Sequence, residues 1–296
     1  MYRFLGIDAG GSSTRAVLVE GDETVWSVSG DSLNLSVSGI ESIDSSLEKL
    51  LEGCPVPSAV CGAFAGFVSK AQESVVLDAI SRLMPGVPAV CVPDFEASLE
   101  ACGQGSTVCV ICGTGSIVCS RDALGTIRKS GGRGFILGDE GSGFQLGREA
   151  LLHFLDSGRD DVSAELTNAV RESFGTVNSE ELIQKVYEFG VSPRSIATLA
   201  QAFAEDAKRS SIYALKALRI HFGKLAHIVS IHLRQYHDGV RTVSVGCQGG
   251  IWKSQVFRDA FEDQLRFWCM VDSIFVEFEP RLPVYGAVDI AKRLLK

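Results

Sequence analysis

No run of about 18 or more consecutive apolar residues occurs in this chain of 296 residues, so the sequence predicts no membrane-spanning helix. The opening MYRFLGIDAG lacks a basic region followed by an apolar stretch and a small-residue cleavage site, and no secretory signal is expected from it. An excess of positive charge is also missing. Lys plus Arg is 28 against 36 for Asp plus Glu, a net charge of −8. That balance argues against broad binding to nucleic acid or to an anionic membrane, while leaving room for a local anion site. No G-x-x-x-x-G-K-[ST] occurs, which excludes a P-loop kinase. No G-x-G-x-x-G follows a strand and opens a helix, which argues against a dinucleotide-binding dehydrogenase. A second paired cysteine motif is absent too. Cys109-x-x-Cys112, with Cys119 nearby, stands alone inside a strand-like run, so core packing is preferred to a metal or cluster site. The nine cysteines, an odd count with mostly apolar neighbours, read as small buried hydrophobes in a reducing, cytoplasmic compartment without a disulfide framework.

What is present starts with LGIDAGGSSTRAVL, residues 5–18. An apolar run ends on Asp8. Ala9-Gly10-Gly11-Ser12-Ser13-Thr14 follows, and a second apolar run begins at once, which predicts a β-hairpin with a small-residue turn. Successive N–H groups in such a turn form a nest for an anion. A carboxylate at the strand end suits Mg²⁺ held through water. An ordinary glycine-rich hairpin is the alternative. The periodicities that follow give β-β-β-α-β-α-β-α up to Cys102, with helices over 40–51, 75–83 and 95–102. The order then restarts. A strand over 107–111, the turn Gly113-Thr114-Gly115-Ser116, and strands over 117–120 and 126–129 repeat the opening hairpin. Two such units make an α/β, two-lobed fold with a nucleotide cleft between them. Residues 131–147, GGRGFILGDEGSGFQLG, carry seven glycines in seventeen and read as a loop that wraps a ligand. Helices are expected over 148–155, 161–174, 179–189, 193–205 and 207–236, then a strand over 240–245, a helix over 251–266, a strand over 271–278 and a helix over 285–295. Four of the five histidines lie on or just after the long helix without i,i+4 pairs, so no metal site is expected of them.

These motifs resemble the N-acetylglucosamine kinase branch of the sugar kinase, Hsp70 and actin superfamily, the group that includes the BadF/BadG/BcrA/BcrD ATPases. GIDAGGSSTRAVL resembles its phosphate-1 loop, VICGTGSIV its phosphate-2 loop, GGRG-x-x-LGDEGSG the segment after that, and VSVGCQGGIW its adenosine motif. The order and spacing of the four carry the resemblance, GDEGSG being the most specific. It implies the actin-like (ribonuclease H-like) ATPase fold with duplicated βββαβαβα units. The N-terminal lobe would comprise 1–97 plus 285–296 and the C-terminal lobe 98–284. It implies an ATP-dependent kinase that phosphorylates a hydroxyl of an amino sugar or hexose, N-acetylglucosamine or a relative, with ATP and Mg²⁺ as cofactors. The partners it implies are a small-molecule sugar and a second copy of the chain, a homodimer, with no nucleic acid and no membrane.

By the same resemblance Asp8 orients the metal. Gly10, Gly11, Ser12, Ser13 and Thr14, with Gly113, Thr114, Gly115 and Ser116, cradle phosphates, and Gly249 and Gly250 meet adenosine. Asp94 is the catalytic base, and Asn34, Gly66, Arg133 and Asp139 contact the sugar. Asp94 follows Pro93 and precedes a helix, so a helix N-cap is its bland alternative. The sequence departs from the family pattern at Ser13, where a basic residue is common, and at Arg133, where members acting on N-acetylglucosamine usually carry an aromatic. Three uses of Arg133 stay open: pairing with Asp139 or Glu140, the preferred one, reaching the ATP phosphates, or meeting an anionic group on the acceptor. ROK-type glucokinases carry a Cys-rich zinc motif that is absent here. The other functional class kept open is an ATPase that activates a partner enzyme, like the iron–sulfur activators of dehydratases, which needs a cluster shared by two copies.

Overall fold

The computed structural model describes residues 1–11, 13–33, 35, 43–66, 69–103, 105, 107–156, 161–188 and 192–295. The chain divides into two units, Met1–Gly105 with Pro280–Lys296, and Ser106–Glu279. In the first, β1 (Arg3–Ala9), β2 (Thr14–Glu20), β3 (Glu23–Gly30), α1 (Ile43–Leu50), β4 (Ala59–Phe64), α2 (Lys70–Leu83), β5 (Ala89–Pro93) and α3 (Asp94–Ala101) follow in order. The sheet order is β3-β2-β1-β4-β5. The hairpin strands pair antiparallel, while β1, β4 and β5 run parallel. Every residue of β4, AVCGAF, is buried, as a central strand covered on both faces requires. Edge strand β3 keeps only Trp26 and Val28 half-buried.

The second unit repeats that topology with β6 (Val108–Cys112), β7 (Ser116–Arg121) and β8 (Ile127–Gly131). A helical insertion follows: α4 (Gly143–Asp156), α5 (Ala164–Phe174), α6 (Ser179–Glu188), α7 (Pro193–Ala197), α8 (Leu199–Lys208) and α9 (Ile212–Tyr236). Then come β9 (Thr242–Gln248), a 3₁₀ turn (Gly250–Lys253), α10 (Gln255–Trp268) and β10 (Ser273–Phe278). The sheet order β10-β9-β6-β7-β8 is the first sheet read from its other edge. The core of this unit stacks Phe222, Trp252, Phe257 and Phe261, all fully buried.

The chain ends in the first unit as α11 (Pro283–Lys292). This helix lies against β1 and α3 closely enough that two glycines are required. A Cβ on Gly6 would stand 2.4 Å from the Val284 carbonyl oxygen, and one on Gly286 only 1.9 Å from that of Ala97. Arg293, just beyond α11, donates two hydrogen bonds to Glu100 of α3. The terminal helix therefore locks the helix that begins at Asp94.

Helix boundaries differ from the periodic expectations for identifiable reasons. α2 starts at Lys70, five residues before the apolar period, because Ser69 and Gln72 close a capping box. The segment 193–205 splits at Thr198 into α7 and α8. α9 begins at Ile212, after Ser210 takes φ +65° and Ser211 caps the helix. The start of α1 near residue 40 falls outside the described residues. α4 begins at Gly143, inside the expected loop. Gly147 sits under α7, where a Cβ would meet the Ile196 carbonyl oxygen at 2.0 Å, so glycine there permits helix packing rather than loop mobility. Among the described residues no helix is long and apolar enough to cross a membrane.

Candidate active site

Ligands of open α/β sheets gather outside the carboxyl ends of the parallel strands. In the first unit that edge holds Ala9, Phe64 and Pro93, since Ala9 pairs with Phe64 and Phe64 with Pro93. The β1–β2 turn is closed by Gly10 N–H donating to Ser13 O at 3.0 Å. Ser32 donates to Gly10 O at 2.9 Å, and Leu33 N–H donates to the Thr14 hydroxyl at 3.1 Å. Thr14 is fully buried, so it shapes the turn from behind, and the face open to an anion is formed by Gly10, Gly11 and Ser13. Ser12 and Asn34 lie outside the described residues. Leu35 N–H donates to Ala65 O, and Ala65 N–H to Ala9 O, which brings Leu35 and Gly66 to the same edge as the turn.

Two acids complete this edge. Asp8 is pushed up to about 7, first by burial and then by the negative charge of Asp94, with Arg15 opposing. Burial also raises Asp94, while the N–H groups of Phe95 and of Asp94 itself hold its carboxylate down. The N-cap of α3 is Pro93, without a side-chain cap bond, and Asp94 is the first helical residue. Asp94 thus holds the first helical position rather than the N-cap, and its carboxylate, held by the N–H groups of Phe95 and of Asp94 itself, rests on the positive end of α3 with its charge felt by Asp8. Two half-buried carboxylates, both raised by burial and one of them also by the charge of the other, form a natural cation site. Mg²⁺ fits these residues, Asp8 being the one that would hold it.

In the second unit the corresponding edge is built by hydrogen bonds among three loops. Gly113 N–H donates to Gly115 O at 2.9 Å. Gly143 and Phe144, at the start of α4, donate their N–H groups to Gly113 O at 2.7 Å and Thr114 O at 3.1 Å. Ser116 donates its hydroxyl to Glu140 O at 2.7 Å, and Cys112 its thiol to Gly141 O at 3.2 Å. Asp139, buried and at φ +58°, lies directly under the turn: a Cβ on Gly115 would stand 2.6 Å from its Oδ2. Burial raises the Asp139 carboxyl and neighbouring Glu140 adds to that, while N–H groups of Ser116 and Gly134 oppose both. Gly249, at φ +110°, packs on Cys112, and the Gly250 carbonyl accepts from Gln201 at 2.8 Å. No atom lies within 4 Å of where a Cβ would stand on Gly113 or Gly250. That open backbone is the cradle a nucleotide needs, so ATP fits here.

Arg133 is exposed and makes none of the ion pairs expected with Asp139 or Glu140. Asp139 is held by backbone N–H groups, and Glu140 lies 3.9 Å from Lys224. The glycines that carry the close approaches, Gly6, Gly147 and Gly286, escaped sequence reasoning, since nothing local to each tells which distant backbone will press on it. The histidines hold no metal-binding cluster among the described residues. His232 is instead buried between Ser120, at 2.8 Å from Nε2, and Ser130, at 2.8 Å from Nδ1.

Residues 5–291 match the model of the BadF/BadG/BcrA/BcrD ATPase family. The N-acetylmuramic acid/N-acetylglucosamine kinase of Clostridium acetobutylicum is 30% identical over 215 residues, covering 68% of this chain and 69% of that protein. Among solved structures, a candidate N-acetylglucosamine kinase from Chromobacterium violaceum aligns with TM-score 0.73 at 24% identity, over 98% of this chain and 99% of the other. A ROK family glucokinase from Streptomyces griseus, in complex with glucose and AMPPNP, aligns with TM-score 0.60 at 16% identity over 98% and 99%. Both likenesses lie below 25% identity and establish the actin-like, duplicated fold.

Proposed function

Because the chain belongs to the BadF/BadG/BcrA/BcrD ATPase family, we propose that it is an ATP-dependent sugar kinase whose acceptor is an amino sugar, N-acetylglucosamine or a close relative. The observation that carries this reading is the Asp8–Asp94 pair beside an open glycine turn, at the carboxyl edge of three parallel strands. Phosphoryl transfer needs little covalent help from protein. It needs positioned phosphates, a cation and a carboxylate near the acceptor hydroxyl.

In this reading Gly10, Gly11, Ser12 and Ser13 donate to the β- and γ-phosphates, with Thr14 bracing the turn. Gly113, Thr114, Gly115 and Ser116 serve the phosphates, and Gly249 and Gly250 pack on adenosine. Mg²⁺, when bound by Asp8 through water, neutralises charge on the transferred group. Asp94 accepts the proton of the acceptor hydroxyl, its raised proton affinity being what a general base requires. Asn34, Gly66 and Asp139 orient the sugar. The reading includes Mg²⁺, a cytoplasmic location that suits free thiols, and a homodimer.

The acceptors named for the Clostridium acetobutylicum relative support the acceptor class. A partner-activating ATPase with a shared iron–sulfur cluster needs surface thiols, whereas eight of the nine cysteines are buried and Cys54 is half-buried. The test is ADP release and a new phosphomonoester signal with MgATP and N-acetylglucosamine, extended to a panel of hexoses and amino sugars. Sugar-dependent turnover is expected. ATP hydrolysis that no sugar stimulates would overturn the proposal.

A further inference from the structure

α11 packs on both elements that carry the acid pair, β1 with Asp8 and α3 with Asp94. On β1, a Cβ at Gly6, two residues before Asp8, would stand 2.4 Å from the Val284 carbonyl oxygen and 2.8 Å from the Val288 nitrogen. Against α3, a Cβ at Gly286 of α11 would stand 1.9 Å from the Ala97 carbonyl oxygen and 2.8 Å from the Ala101 nitrogen. Backbone thus meets backbone on both sides, and surfaces packed this closely transmit a displacement instead of absorbing it. α3 follows β5 with no loop between them, and its N-cap, Pro93, makes no side-chain cap bond. Residue 93 is therefore a pivot, and the angle of the helix is set by what holds it farther along. There Arg293, just past α11, donates from both terminal nitrogens to the two carboxylate oxygens of Glu100. The Glu100 side chain is only 9% exposed. A two-pronged guanidinium–carboxylate pair fixes direction as well as distance. The eight residues of α3 make a stiff rod about 12 Å long at 1.5 Å per residue, so an anchor at Glu100 sets where the Asp94 end lies.

We propose that Arg293 is a positioning residue for the reaction: through Glu100 it fixes the angle of α3, and so holds the Asp94 carboxylate in place beside Asp8. This inference rests on the sugar kinase reading, which gives Asp94 the proton of the acceptor hydroxyl. Arg293 touches no substrate and neither gives nor takes a proton. Its effect reaches the chemistry through the backbone of α3 alone. An ion pair that served stability only would leave kcat unchanged in any variant that stays folded.

The test measures kcat and KM with MgATP and N-acetylglucosamine for the wild type, Arg293→Ala, Glu100→Gln and the double variant, each well below its melting temperature. Hydrogen exchange of the 95–101 amides is followed in the same proteins. A displacement of about 1 Å in a catalytic group can lower a rate about 100-fold. Arg293→Ala is therefore expected to lower kcat by about 10-fold or more, with both KM values within about 2-fold of wild type. The 95–101 amides should exchange faster, because the helix opens more readily once its anchor is gone. Glu100→Gln should behave alike, and the double variant should lose no more than either single one, since one contact is removed in all three. A folded Arg293→Ala variant with wild-type kcat would overturn the inference. So would unchanged exchange over 95–101, losses that multiply in the double variant, or a rise in KM at constant kcat. Each of these leaves the kinase reading standing. Turnover of no sugar by the wild type would remove the kinase reading, and the role of Arg293 in it would fall as well.

Discussion

The two units solve one topological problem with opposite chemistry. Each has a β-hairpin, a small-residue turn and three parallel strand ends. In the first, the edge carries two acids, Asp8 and Asp94, both raised by burial, with Asp94 adding to the rise of Asp8 and Arg15 opposing it. In the second, the turn is neutral, and the one acid under it, Asp139, is held by N–H groups of Ser116 and Gly134. Burial raises Asp94 and Asp139 alike, and backbone N–H groups oppose the rise in both, so the two edges differ in placement: Asp139 lies under its turn against Gly115, whereas Asp94 stands at the positive end of α3 with its charge felt by Asp8. Carboxylates with raised proton affinity in such a pair are candidates to hold a metal or a proton.

The sharpest way to break this comparison is at Asp94. Asp94→Asn should lower sugar-dependent kcat by about 10²-fold or more while leaving the melting temperature and ATP binding near wild type. A fully active Asn variant would show that Asp94 is not the base.

Packing glycines should respond alike in both units. Gly286→Ala places a Cβ 1.9 Å from the Ala97 carbonyl oxygen, and Gly147→Ala places one 2.0 Å from that of Ile196. Each should cost about 3 kcal/mol, since overpacking against backbone cannot be relieved by a rotamer. Denaturant unfolding measures both. A cost below about 0.5 kcal/mol would mean that the helix contacts yield.

The second unit should also be the acid-sensitive one. His232 is lowered from 6.5 to about 4 by burial first and then by the charge of His237. The unfolded chain binds its proton near 6.5 and the folded chain only near 4, so the unfolded state holds more protons between those values. Stability contributed by neutral His232 is full above pH 6.5 and is lost as pH falls toward 4, by up to about 3 kcal/mol. Melting temperatures from pH 7.5 to 4.5 should fall less steeply for His232→Gln. Parallel curves would place the acid sensitivity elsewhere.

The smallest effect concerns the two acids of the first unit. With metal removed at pH 8, Asp8→Asn should raise stability by about 1 kcal/mol, by removing a buried charge and with it the repulsion with Asp94. It should also abolish the extra stabilisation that MgATP gives over ATP with chelator, read as a melting shift. A variant that kept the full magnesium-dependent shift would show that Asp8 does not hold the metal.

Much of this was legible before any coordinates. β4 falls on 59–64 as its apolar run predicts, and the paired hairpins and their glycine turns follow from strand runs broken by small residues. Helix starts were less legible. α4 runs through Gly143 and Gly147, residues that locally favour a loop, because packing against the 113–114 turn and α7 outweighs the helix penalty of glycine, about 1 kcal/mol. The break at Ser210 likewise depends on tertiary contacts. Ser163 N–H donates to the buried Asp206 carboxylate at 2.7 Å, and the Asp206 carbonyl accepts from Ser211 N–H.

What the sequence alone determined is everything carried by neighbours in the chain: strand and turn alternation, the duplicated order of elements, and the motifs that mark the family. Those signals rest on backbone periodicity and turn chemistry, which act over a few residues. Only tertiary structure decided that Thr14 faces inward, that Asp94 takes the first helical position of α3, that Asp139 lies under the Gly115 turn while Asp8 feels the charge of Asp94, and that Arg133 pairs with neither Asp139 nor Glu140. Each of these depends on which donors and charges arrive from residues distant along the chain, and side-chain chemistry is set by that company.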